Sequence, residues 1–115
     1  MHSVIETPIF IADAKAAGMD DGERSEIIDL LASDPDVGEI MVGTGGARKL
    51  RFKRHGTGKS GGYRIIFYTA GQDVPVFLLN VFTKGDRANI SKAERNTLRT
   101  ILSKMADIYR KGLQS

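Results

Sequence analysis

Apolar positions along this 115-residue chain change their spacing several times, and each change marks an element. Near the C-terminus Leu98, Ile101, Leu102, Met105, Ile108 and Tyr109 recur every three or four residues, the stripe of an amphipathic helix, while Arg95 and Arg99 fall on its opposite face. Ser91 followed by Glu94 is the reciprocal cap that opens such a helix, and Arg110 and Lys111 suit the negative end of its dipole. Upstream, Val74–Thr83 is apolar almost throughout, which predicts a central strand covered on both faces. Pro75 has no N–H to give a ladder and limits pairing near the start. Gly62–Thr69 predicts the strand before it, with Ala70-Gly71-Gln72-Asp73 as the turn between the two. In residues 47–54 the large apolar side chains are Leu50 and Phe52, two apart, the spacing of a strand with one buried face.

The N-terminal portion reads as a short strand and two helices. Ser3–Glu6 holds the β-branched pair Val4 and Ile5. Thr7-Pro8 then starts a helix, because threonine caps free amides and proline is preformed for the first turn. Ile9–Ala17 runs to Gly18, the usual closing glycine. Asp20 or Asp21 caps a second helix in which Glu23 and Glu26 suit the positive end and Ile27, Ile28 and Leu31 form the apolar stripe; Ser33-Asp34-Pro35 stops it. Glu39-Ile40-Met41-Val42 fits a short strand, and Gly43-Thr44-Gly45-Gly46 a turn or loop. The resulting order, β-α-α-β-β-β-α, predicts an α+β fold in one domain over 1–115, with two N-terminal helices and one C-terminal helix packed on a small, mostly antiparallel sheet.

Charge adds what hydropathy does not. Residues 1–47 carry two cations and ten acids, a balance of −8, whereas residues 48–115 carry fifteen cations and four acids, a balance of +11. Such a split points to a polyanionic partner for one surface. In 47–54 the parity opposite Leu50 and Phe52 holds Lys49, Arg51 and Lys53, so the pleat sends three like charges to one face. Neighbouring cations repel at short range, and an anion seated among them removes that penalty. A basic face kept solvated, and so protected from edge aggregation, is the plain alternative.

Other chemistries find less support. The chain has no cysteine, hence no disulfide and no thiolate metal site, and its only histidines are His2 and His55. No acid spacing suits a carboxylate-bound metal, and no cofactor is expected. Gly56-Thr57-Gly58-Lys59-Ser60 imitates the end of a nucleotide-binding P-loop, but Lys53 stands where the leading glycine belongs, and a strand rather than a helix is expected next. The N-terminus lacks a basic leader followed by an apolar run, and no apolar stretch reaches the ~20 residues that cross a bilayer, so a soluble cytoplasmic protein is expected.

The positive case rests on the sheet. Arg64 shares parity with Ile66 and Tyr68, and Lys84 leaves the end of the apolar strand. Adjacent strands would gather Lys49, Arg51, Lys53, Arg64 and Lys84 around one patch with Tyr68 nearby. Arg48, Arg54, His55, Lys59 and Arg87 flank it as further phosphate contacts. Arginine grips phosphate bidentately, lysine is a mobile point charge, and tyrosine offers a ring for stacking and a hydroxyl for proton transfer.

Four stretches carry a resemblance: Gly43-Thr44-Gly45-Gly46-Ala47-Arg48-Lys49-Leu50-Arg51, Gly61-Gly62-Tyr63-Arg64-Ile65-Ile66-Phe67-Tyr68, Phe82-Thr83-Lys84-Gly85 and Ile90-Ser91-Lys92-Ala93-Glu94. Together they resemble the RelE/HigB toxins of bacterial toxin–antitoxin modules, and the Gly-Thr-Gly-Gly element is similar to that of the HigB-like subgroup. The resemblance implies a small RNase-like fold that enters the ribosomal A site and cuts translated mRNA. It also implies a cognate antitoxin, usually with a helix-turn-helix part. The family's phosphate-holding arginine falls on Arg64 and its basic strand pair on Lys49 with Arg51 or Arg51 with Lys53. The arginine after the last strand falls on Lys84, and Ile90 stands where some members have a tyrosine.

The expected chemistry uses the 2′-hydroxyl of RNA as nucleophile, with Arg64 and Lys84 stabilising the phosphorane charge. Lys49 or Lys53, crowded by other cations, is eligible as base, with Tyr68 and His55 behind them. With no strong base in view, free RNA is expected to be cut slowly, the ribosome supplying orientation. Two rival readings use the same face: a non-catalytic RNA- or DNA-binding module, and an RNase that needs no ribosome.

Overall fold

The structure, a computed structural model, describes residues 2–53, 62–71, 73–83 and 90–114, with side chains as far as 112. The elements are β1 (Val4–Glu6), α1 (Pro8–Ala16), α2 (Asp21–Ser33), β2 (Glu39–Ile40), β3 (Arg48–Phe52), β4 (Tyr63–Tyr68), β5 (Val76–Thr83) and α3 (Lys92–Gln114). The strands form one sheet in the order β1-β5-β4-β3-β2. β1 runs parallel to β5, and every other pairing is antiparallel. This is the α+β arrangement that the hydrophobic spacing predicts, with Glu39–Ile40 added as the edge strand.

Local chemistry starts each helix where the sequence signals it. The Thr7 hydroxyl accepts from the Phe10 N–H at 3.2 Å and donates to the Leu78 carbonyl at 2.7 Å, so the cap of α1 is also tied to β5. Of the two candidate caps for α2, Asp20 does the work: the Glu23 N–H donates to Asp20 Oδ1 at 2.7 Å, and the Asp20 N–H donates to Glu23 Oε1 at 2.9 Å. Ser91 and Glu94 repeat the reciprocal cap before α3, at 2.9 and 3.1 Å.

Each face of the sheet has its own apolar cluster. On one face Phe10 and Ala14 of α1 and Ile27 and Leu31 of α2 pack on Leu50, Tyr63, Ile65, Phe67, Val76, Leu78 and Val81. On the other, Leu98, Leu102 and Ala106 of α3 pack on Ile66, Tyr68, Phe77, Leu79 and Phe82. β5 is therefore buried on both sides, as its continuous apolar run predicts. The β4–β5 register shifts between Ile66 and Phe67, whose partners are Asn80 and Leu78. Past this bulge Leu78 and Val81, three apart, both enter the first cluster. Asp13 of α1 stabilises the irregularity by accepting from Asn80 Nδ2 at 3.1 Å and from the Val81 N–H at 3.3 Å.

α3 covers only part of its face. Along β4 it lies over Ile66 and Tyr68, while Arg64 remains half-buried at the end of the strand. That uncovered corner is where the cations gather.

Candidate functional site

β3 and β4 set the site by register. Arg51 pairs directly with Arg64, and Lys49 pairs with Ile66 one step along. Directly opposed residues project from the same face with Cβ atoms about 4.5–5.5 Å apart, and like charges so placed repel. Lys53 continues the parity of Lys49 and Arg51 just past the end of β3 and is exposed. The side chains of Lys49, Arg51 and Lys53 make no hydrogen bond or ion pair among the described residues, and that of Arg64 reaches only the Tyr63 carbonyl, at 3.4 Å. Other arginines are committed: Arg24 to Glu6 at 2.8 Å, Arg110 to Asp73 at 2.6 Å, and Arg95 to the Val42 carbonyl at 3.0 Å.

Lys49, Arg51 and Arg64 border an open depression of about 420 Å³, completed by Leu50, Gly38 and Glu39. Arg64 is held firmly from below. Its neighbour Tyr63 is fully buried on the opposite parity and donates its hydroxyl to Glu23 Oε1 at 3.0 Å, which fastens the start of β4 to the start of α2. A Cβ at Gly62 would stand 3.3 Å from Arg64 Nη1, so the glycine before Tyr63 leaves the guanidinium its space.

Two of the expected site residues lie elsewhere. Arg48 has the parity of Phe67, away from the depression, and its guanidinium donates to the Asp36 carbonyl at 2.9 Å and approaches the Asp36 carboxylate at 3.9 Å. It braces the loop before β2 instead of facing an open phosphate path. Tyr68 shares the face of Arg64 but sits four residues, about 13 Å, along the strand. There α3 encloses it at 8 % exposure, so its ring is core rather than an open stacking surface. Arg54, His55, Lys59, Lys84 and Arg87 lie outside the described residues. Residues 63–68 are a strand, so the P-loop imitation at 56–60 lacks the helix whose N-terminus would bind phosphate.

Glu39 is the residue that sequence reasoning passed over. It is the Cα partner of Lys49 and puts a carboxylate on the rim of the cationic depression. Ten positions separate the two in the chain, and only the β2–β3 register brings them together. The Gly43–Gly46 loop fixes that register. Thr44, fully buried, donates its hydroxyl to the Met41 carbonyl at 2.7 Å and accepts from the Ala47 N–H at 3.0 Å, while the Met41 N–H donates to the Ala47 carbonyl at 2.8 Å. A Cβ at Gly45 would lie 3.3 Å from Arg99 Cα, so the loop rests directly on the backbone of α3.

A family model described as the RelE toxin of the RelE / RelB toxin–antitoxin system matches residues 14–115, nearly the whole chain and every strand of the site. The chain belongs to the RelE toxin family. Membership makes it the toxin half of a toxin–antitoxin pair, with a cognate antitoxin as partner, in a family whose toxins are endoribonucleases. Among the described residues of this RelE-family toxin no helix is long and apolar enough to cross a membrane.

Proposed function

We propose that this RelE-family toxin is a HigB-like endoribonuclease that inhibits translation by cutting mRNA in the ribosomal A site, in the cytoplasm and without a metal ion. The observation that carries the reading is the direct opposition of Arg51 and Arg64, flanked by Lys49, with no carboxylate bound to any of them among the described residues. Two facing guanidinium groups are tolerable when an anion sits between them, and a phosphodiester is such an anion.

In the proposed reaction the 2′-hydroxyl attacks the adjacent phosphorus, so the substrate brings its own nucleophile and no metal-bound water is required. Negative charge grows on the non-bridging oxygens, and Arg64, Arg51 and Lys84 are the groups assigned to stabilise it. Lys49 and Lys53 supply further positive charge along the phosphate track. Arg54, His55, Lys59 and Arg87 are further candidate RNA contacts. The antitoxin, of helix-turn-helix type, neutralises the toxin by preventing this face from meeting mRNA.

The test is cleavage on translating ribosomes. Arg64→Ala should fold normally, since the side chain is half-buried and its only described bond is to a neighbouring carbonyl. It should nevertheless cut ~10²–10³-fold more slowly, the usual effect of removing one oxyanion stabiliser. Mapping of mRNA 5′ ends after induction reads this directly. A folded Arg64→Ala protein that produces wild-type cuts overturns the assignment. New ends absent even from the wild type would leave a nucleic-acid-binding module in its place.

A further inference from the structure

We propose that Glu39 is the general base of this reaction, an assignment that rests on reading the site as an mRNA nuclease. The attacking 2′-hydroxyl must lose a proton, and the cations around the depression are better suited to charge stabilisation than to accepting it. Glu39 contributes the carboxylate of the depression that Lys49, Arg51 and Arg64 line. Its side chain projects from the face of Lys49, its direct partner, and stands diagonally from Arg51, about 7–8 Å away along the pair of strands. Arg64 lies one strand further, so about 9.5 Å of sheet separates the backbones that carry the acid and the arginine. Long side chains reaching inward from both sides bracket a ribose and the phosphate on its 3′ side.

Glu39 is also free and well held. Glu6, Asp13, Asp36 and Asp73 each engage a partner, whereas the Glu39 side chain makes no hydrogen bond or ion pair among the described residues. The preceding Gly38 has φ +82°, and a Cβ there would lie 2.5 Å from the Lys49 carbonyl oxygen, so β2 is pressed against β3 at this point. Beyond it, the buried Thr44 and the Met41–Ala47 bond close the other end. A carboxylate beside an RNA path repels RNA, and a catalytic duty is a reason to keep one there.

In the step itself the 2′-O–H proton passes to a Glu39 carboxylate oxygen as the 2′-oxygen forms its bond to phosphorus. The P–O5′ bond breaks, and the departing 5′-oxygen takes a proton from a solvent water. The hydroxide left behind is neutralised by the proton that Glu39 has taken. The products are a 2′,3′-cyclic phosphate and a 5′-hydroxyl, and no oxidant, reductant or co-reactant is consumed.

The experiment uses the toxin on ribosomes programmed with a 5′-labelled mRNA, under single-turnover conditions at about pH 7, with Glu39→Gln and Glu39→Asp beside the wild type. Glu39→Gln should slow cleavage ~10²–10⁴-fold. It should also tighten mRNA binding, because a repulsive charge has gone. Glu39→Asp should recover part of the rate. Thermal melts check that both variants fold. A Glu39→Gln protein within about twofold of wild type, or one that is slower and binds mRNA more weakly, overturns the assignment. Cleavage that persists in an mRNA carrying a 2′-deoxy residue at the scissile position, or no cleavage by the wild type, overturns the nuclease reading itself.

Discussion

Gly38 shows how one backbone atom's worth of space shapes the site. Its φ of +82° is strained for a side chain, and a methyl group there would collide with the Lys49 carbonyl at 2.5 Å. Gly43 has the same φ but nothing within 4 Å of a Cβ. Gly38→Ala should therefore combine a backbone penalty of ~1–3 kcal/mol with a shift of β2 away from β3, whereas Gly43→Ala should suffer the backbone penalty alone. Denaturant midpoints and cleavage rates measured together check this; equal losses in both variants would mean that the β2–β3 contact is unimportant. At this scale the sequence was partly readable. A period of two placed Lys49, Arg51 and Lys53 on one face without knowledge of the fold, and the β3–β4 register brings Arg64 to it. The same period could not show that Tyr68, of equal parity, passes beneath a helix, nor that Arg48 has Asp36 to hold. Glu39 was invisible because its neighbour is set by pairing, not by spacing.

At the scale of elements, α3 is pinned at both ends. Near its start Arg95 Nη1 donates to the Val42 carbonyl at 3.0 Å, and near its end Arg110 grips Asp73 in the β4–β5 turn through two bonds of 2.6 and 3.1 Å. The Tyr109 and Phe77 rings meet edge-to-face nearby, with centroids 6.4 Å apart. The hydrogen bonds from Arg110 hold the Asp73 carboxyl below its ordinary value of 3.8, and the same pair raises Arg110. A carboxylate whose folded value is depressed stabilises the fold above its unfolded value and loses that contribution as pH falls through the folded one. The melting-temperature gap between wild type and Asp73→Asn should thus be full above about pH 4 and shrink as the pH falls below 3.8. A gap that stays constant down to strong acid would show that the fork adds nothing to the docking of α3. Capping pairs made the helix starts legible, since those contacts are three residues apart. The β5 bulge was not legible, because a strand apolar at both parities gives the same pattern with or without a shifted register.

Across the whole molecule, the sheet separates two kinds of surface. The helices α1 and α2, the second rich in acids, cover one face, and the open corner of the other carries Lys49, Arg51 and Arg64. The uneven charge of the sequence foretold such a division, and the hydrophobic order foretold the α+β layers that enforce it. If the open corner meets phosphates, affinity for single-stranded RNA should fall with salt at a log–log slope near −0.7 per contact, hence about −2 for these three cations. Arg51→Ala should make the slope shallower by about 0.7, as fluorescence anisotropy would read. A slope unmoved by Arg51→Ala would place the RNA elsewhere.

Because the Gly43–Gly46 loop rests on the main chain of α3 with no side chain as cushion, helix and hairpin lock like two stacked plates. Lifting the terminal helix would unseat the loop of the hairpin that carries Glu39 and, on the proposed role of that carboxylate, would slow cleavage at a distance.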